Sequence, residues 1–303
     1  MFSRSWSISG ANTFSNASGV TARPPCHGLI NATGHGPHRR GGARDDLDMA
    51  ARAAARSVLG IVYEANPPRD EGDAGGLLEA MSRRLGRVIG LADAVLVTDG
   101  VLGTRRVGVL DACAAIAASH PRAEVMISLR TRDRTYERLA GDIAEAARVG
   151  VSAVLLVRGD PPQYAGARDT NLYPGAALSR LRAESRTCGV RMVLSLPAEP
   201  DPAGTRKKLA ARPDAFVTQV IASEAQAAGI VEEMAAHGIG VTPCVMVPSE
   251  KNAPSARALG LDWSAYEGDC GAFVRRIHSL AGGVLVTSPR DLAAAEAAIA
   301  SAR

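Results

Sequence analysis

From residue 58 onward, short runs of apolar and β-branched residues alternate with longer stretches in which apolar positions recur every three or four residues. The short runs fall at 58–65, 93–98, 123–129, 152–158, 190–196, 214–221, 239–247 and 283–287. Most are continuously apolar rather than alternating, as expected for parallel strands covered on both faces. Helical periodicity fills the gaps at 74–89, 104–119, 133–149, 175–188, 223–237, 263–280 and 289–302. A shorter segment at 202–212 opens on Pro202, a residue suited to the first turn of a helix. Asp133 and Ser223 stand where N-caps are expected, and Gly150 and Gly238 just past helix ends.

Eight strands each followed by a helix, over about 250 residues, predict a single α/β domain closed as a (β/α)8 TIM barrel spanning residues 49–303. A doubly wound open sheet is the alternative. It would want a glycine-rich turn after its first strand, and YEANPPRDEG offers none.

Residues 1–48 lack this periodicity and are rich in Ser, Gly, Asn, Pro and Arg. They read as a disordered extension. Their Arg- and Ser-rich composition, free of acids through residue 44, also resembles a transit peptide, but no convincing amphipathic helix accompanies it. A dispensable or misassigned extension ahead of Met49 is the preferred reading, and an organelle address the second.

Charge changes the picture little once it is located. The net +4 contains Arg4, Arg23, Arg39, Arg40 and Arg44; without them, 30 basic residues face 31 acidic ones. A nucleic-acid-binding domain would carry its excess in the folded part, so none is expected. No apolar run is long enough to span a bilayer. The five cysteines are scattered and form no CxxC pair, which argues against a zinc site or a disulfide framework and fits reduced thiols in the cytoplasm. No histidine falls where a strand ends, so neither a metal site nor a catalytic histidine is expected.

In a barrel of this kind the chemistry sits at the C-terminal ends of the strands. Glu64 follows LGIVY, so its carboxyl should stand against a partly dry wall, where desolvation favours the protonated form. Pairing with an arginine, Arg158 for instance, is the competing reading. Asp160 lies between Gly159 and two prolines, fixed either to bind ring amino groups or to cap its loop against Arg158. Gln219 interrupts the apolar run DAFVTQVI, and its amide can match the edge of a pterin or be satisfied within the core. Lys207 and Lys208 could meet phosphates or simply line an exposed helix face.

These strand ends together resemble the methylenetetrahydrofolate reductases, flavin-binding barrel enzymes. YEANPP, VTDG, LLVRGDPP and FVTQ follow the family's strand-end motifs in order, and the likeness runs from about residue 58 to residue 290. The resemblance implies reduction of 5,10-methylenetetrahydrofolate to the 5-methyl form by NADH or NADPH through FAD, within one-carbon metabolism and methionine biosynthesis. It makes Glu64 the acid, gives Asp160 a place in catalysis and in substrate binding, and sets Gln219 on the pterin. Thr98, Ser128, Arg158, Gly159, Asp160, Tyr173, Lys207 and Lys208 become the FAD-binding candidates. A flavin-independent reductase and a tetrahydrofolate-dependent methyltransferase are the alternatives, and a homo-oligomer is left open.

The departures lie mainly at the cofactor. LPAEPDP replaces the family's histidine-containing segment after strand five, Asp99 stands for a tyrosine, Ser128 for a frequent histidine, and Val220-Ile221-Ala222 for an aromatic run. Surfaces for stacking a flavin or folate are thinner as a result.

Deleting residues 1–48 is expected to leave folding and activity intact, since no core periodicity precedes residue 58. A truncated chain that is insoluble, or that melts several degrees lower, would show the extension to be structural.

Overall fold

A computed structural model describes residues 59–100, 105–161 and 168–303; the extension over 1–48 lies outside them. The strands are β1 (Gly60–Ala65), β2 (Ala94–Val97), β3 (Glu124–Arg130), β4 (Ala153–Val157), β5 (Arg191–Leu196), β6 (Ala215–Val220), β7 (Gly240–Met246) and β8 (Gly283–Thr287). All neighbours pair in parallel, and β8 pairs with β1, so the sheet closes into the expected eight-stranded barrel.

The helices among the described residues are α1 (Ala74–Leu91), α2 (Val109–Ser119), α3 (Tyr136–Arg148), α4 (Pro174–Ala183), α5 (Pro202–Ala210), α6 (Glu224–Ala235), α7 (Ala253–Leu259), α8 (Cys270–Ala281) and α9 (Leu292–Ala302). Side chains alternate across each strand and divide the core in two. Val62, Leu96, Met126, Leu155, Val193, Val217, Cys244 and Leu285 fill the barrel itself. A larger shell joins the outer strand faces to the helices, with Ile61, Ile127, Leu156, Phe216 and Val286 meeting Leu139, Leu178, Phe273 and Ile299. Each such side chain withdrawn from water contributes about 1.5–3 kcal/mol before chain entropy opposes it.

The helix ends follow local chemistry, with some corrections. Ser223 caps α6 through the Gln226 amide, Asp201 caps α5 ahead of Pro202, and Gly150 and Gly238 take left-handed conformations past their helices. Asp133 does not cap α3. Thr135 does, accepting from the Arg138 amide at 3.3 Å, while Asp133 pairs with Arg130 at 3.1 Å. The segment 263–280 becomes helical only at Cys270, capped by Asp269, and α7 appears where no helix was expected.

One irregularity in the sheet matters for the site. Pro243 lies inside β7, between two strands, and has no N–H to give the ladder. The β6–β7 register slips there: Val217 pairs with Thr242, yet Val220 pairs with Cys244. The extra residue on β6 makes a bulge at Thr218 and Gln219. The Thr218 hydroxyl closes the gap by accepting the Cys244 amide at 3.0 Å, with both residues buried. Gln219 is left exposed.

Thr218→Val is expected to destabilise the barrel by about 1–3 kcal/mol, because the buried Cys244 amide loses its acceptor. Thr218→Ser should recover most of that loss in urea unfolding. A valine variant within about 0.5 kcal/mol of wild type would mean that the hydroxyl does not hold the bulge.

Candidate active site

Closure brings the C-terminal ends of all eight strands to one rim, which carries Glu64 on β1, Asp160 after β4 and Gln219 on β6. Glu64 lies two residues beyond Val62, on the face turned into the barrel. Its register partner on β8 is Thr287, whose hydroxyl donates to Glu64 Oε1 at 2.8 Å. Burial raises the Glu64 pKa above the ordinary carboxyl range, and the Thr287 hydrogen bond opposes that rise by favouring the anion. Cys244 sits on the same inner wall, its thiol pushed far up by burial and by the nearby Glu64 charge. The pairing of Glu64 with Arg158 does not occur. Arg158 turns to Asp169 at 3.2 Å and lies over the Tyr173 ring at 4.0 Å.

Asp160 is exposed. Its carbonyl accepts from Arg130 Nη2 at 2.9 Å, so the loop is fixed through its backbone rather than through Arg158. Gln219 is exposed too, and its amide makes no hydrogen bond among the described residues, which removes the reading of a satisfied core glutamine.

The cofactor candidates are placed differently. The Thr98 hydroxyl donates to Asn66 Oδ1 at 2.7 Å, and the Ser128 hydroxyl accepts the Asp99 amide at 3.0 Å. Asp99, standing for the family's tyrosine, accepts the Arg130 amide at 2.9 Å and an ion pair from Arg134. Arg134 and Arg138 continue to Asp142, each at 2.8 Å. The buried Arg130 side chain crosses Gly159 so closely that a Cβ there would stand 2.7 Å from its Nε. Gly159 also has φ +79, so glycine is required at this position twice over. Lys208 reaches back to donate to the Ser195 carbonyl at 2.5 Å, and its pKa is lowered by burial. Lys207 remains exposed, and Tyr173 is 52% exposed beneath Arg158.

Sequence reading places Arg130 and Thr287 at strand ends without giving either a role, and gives no sign of Asn252. Asn252 is fully buried, donates to the Val247 carbonyl and the Ser288 hydroxyl, and accepts the Arg290 amide, tying the loops after β7 and β8 together. Thr287 follows an apolar run at a strand end, the same signal that exposed Glu64. Among the described residues, no three His, Cys, Asp or Glu side chains are arranged to hold a metal ion, and no helix is long and apolar enough to cross a membrane.

The raised pKa of Glu64 has a sign that can be tested. The folded chain holds a proton that the unfolded chain releases in the ordinary carboxylate range. Its stability contribution is therefore full at low pH and is lost as pH rises through the folded value. Relative to Glu64→Gln, wild-type stability in urea should fall as pH rises above about 4.5, the ordinary carboxyl value. A difference between the two proteins that stays flat with pH would contradict the raised pKa of this carboxyl.

Comparison with known proteins bears on these positions. The chain is similar in fold to an uncharacterized protein from Clostridium thermocellum that binds two copies of 5-methyl-5,6,7,8-tetrahydrofolic acid, at TM-score 0.57 and 15% identity over 84% of this chain and 97% of that one. Weaker likenesses are to a protein from Aquifex aeolicus VF5 (TM-score 0.46, 13% identity, 80% and 87% coverage) and to the GH99 endo-alpha-mannosidase from Bacteroides thetaiotaomicron (0.47, 14%, 70% and 66%). No curated protein matches the sequence. The family model described as methylenetetrahydrofolate reductase matches residues 49–174, a span that includes Glu64, Thr98, Arg158, Gly159 and Asp160 but ends before Gln219. Over that span the resemblance to the methylenetetrahydrofolate reductases, first read from the strand ends, is shown.

Proposed function

We propose that this chain is an oxidoreductase that reduces 5,10-methylenetetrahydrofolate, or a close pterin relative, to the 5-methyl form with NADH or NADPH. The observation that carries this reading is Glu64: a carboxyl on the inner barrel wall, held by Thr287, with burial favouring its protonated state. A carboxyl whose pKa is raised in this way is suited to act as a proton donor. In the proposed step Glu64 protonates a ring nitrogen of the substrate as the adjacent C–N bond of the five-membered ring breaks. The methylene carbon becomes an iminium, and hydride from the nicotinamide reduces it to methyl while the dinucleotide leaves oxidised. Gln219 and Asp160, both exposed on the rim, would hold the amide-like edge and amino group of the pterin. The Clostridium thermocellum protein of similar fold binds the compound that this reaction would produce, which supports the reading.

FAD is the hydride carrier that the resemblance implies, and several of the residues that would hold it are already engaged within the chain. Thr98 is engaged by Asn66, Ser128 by Asp99, Arg158 by Asp169 and Tyr173, and Lys208 by Ser195. Arg130 occupies the space over Gly159. These contacts favour direct transfer from the nicotinamide. Passage through a loosely held flavin is the second reading. Titration of the purified chain with FAD, followed by flavin fluorescence, separates them. Direct transfer expects no binding up to about 100 μM FAD while NAD(P)H-dependent reduction persists, whereas reduction that requires added FAD would establish the flavin route.

Glu64→Gln should lower reduction of methylenetetrahydrofolate at least about a hundredfold and spare folate binding, because an amide keeps the shape but gives up the proton. Turnover within about threefold of wild type would remove Glu64 from the mechanism.

A further inference from the structure

The ends of β2 and β3 and the start of α2 form a cleft of about 270 Å³, lined among others by Asp99, Arg105, Arg106, Arg130, Asp133 and Arg134. Its charges do not balance in the usual way. Arg134 is spent on Asp99 and Asp142, and Arg105 pairs with Asp70 at 2.9 Å. Arg106 has no acidic partner among the described residues. One of its terminal nitrogens donates to the Pro67 carbonyl at 2.6 Å, and its buried Nε has no partner there. An isolated bridge ties it to Arg69, a second cation, and burial together with that charge lowers its pKa.

Arg130 supplies an independent sign. Its side chain is only 5% exposed and lines the cleft; Nη2 is shared between Asp133 at 3.1 Å and the Asp160 carbonyl, and the buried Nε, packed over Gly159, has no partner among the described residues. A guanidinium carries five N–H donors, and leaving a buried donor unmet costs about 1–3 kcal/mol. Finally, α2 starts at this cleft with Gly108 as its N-cap and no side chain hydrogen-bonded as a cap, although Asp111 in its first turn meets part of the positive charge of the helix start.

We infer that this cleft is an anion subsite taking a phosphate or carboxylate group, with the Arg106 and Arg130 guanidiniums as its donors. Planar guanidiniums bind both oxyanions in a bidentate manner. The proposed reductase reading supplies two sources for such a group on the same rim: the phosphates of a nicotinamide dinucleotide and the carboxylates of a folate glutamate tail. That assignment rests on the reading; the subsite itself does not.

The test is calorimetric titration of the full chain with inorganic pyrophosphate, without turnover. Wild type should bind it, Arg106→Met should bind about tenfold or more weakly through loss of charge-assisted bonds, and Arg106→Lys should fall between them. Arg148→Ala, which alters only an exposed pair on α3, should bind as wild type does. Arg130→Met provides a second lesion, and circular dichroism checks that each variant is folded. The same series with NADH, NADPH and mono- and polyglutamyl 5-methyltetrahydrofolate identifies the source as the compound whose affinity Arg106→Met lowers. No pyrophosphate binding to wild type, or equal binding by Arg106→Met, would overturn the subsite. Pyrophosphate binding that behaves as expected, in a chain that binds none of the four compounds, would keep the subsite and overturn the reductase reading.

Discussion

The parallel pairing of β8 with β1 is the contact on which the rest of this molecule depends. It joins the two ends of the described chain, and the hydrogen bond it permits, from Thr287 to Glu64, spans 223 positions of sequence. A closed sheet has no edge, so no strand is left with an unpaired side for a partner to cover. Because every strand runs the same way, every loop that follows a strand reaches one rim. The register of this closing pair also fixes the chemistry. Sliding β8 by one residue would turn Thr287 outward and leave the half-buried Glu64 carboxyl without that donor.

On that frame the chain departs from an aromatic design toward an ionic one. Asp99, Arg130, Arg134 and Asp142 bind the loops after β2 and β3 into a network, with Asp133 on its flank. A flat ring needs apolar faces above and below it, and this part of the rim offers guanidiniums and carboxylates instead. The same network explains why Ser128, placed where a ring might rest, is used to hold the Asp99 backbone.

The barrel was readable because each strand is a continuous apolar run between turn signals, and its parallel neighbours require that pattern. Glu64 was readable for a related reason, as a charge set at the end of such a run. Other features depend on partners far away in sequence. The exposure of Gln219 follows from Pro243, a residue of the next strand that removes one ladder hydrogen bond. The role of Arg130 follows from Gly159, and neither residue announces the other. Helix α7 was missed because seven residues beginning Ala-Pro carry too little periodicity, and α3 was started at Asp133 because Thr135, two residues on, is an equally good cap.

The close passage of Arg130 over Gly159 ties the histories of two positions together. No side chain at 159 can be accepted while the arginine stays, since even a methyl group would meet its Cγ at 2.8 Å and its Nε at 2.7 Å. A lineage leaving this arrangement has to shorten residue 130 first, which releases the Asp160 carbonyl and the Asp133 ion pair in the same step. That first step loses contacts before any gain is available, so the pair forms a ratchet that resists gradual drift toward a differently furnished rim.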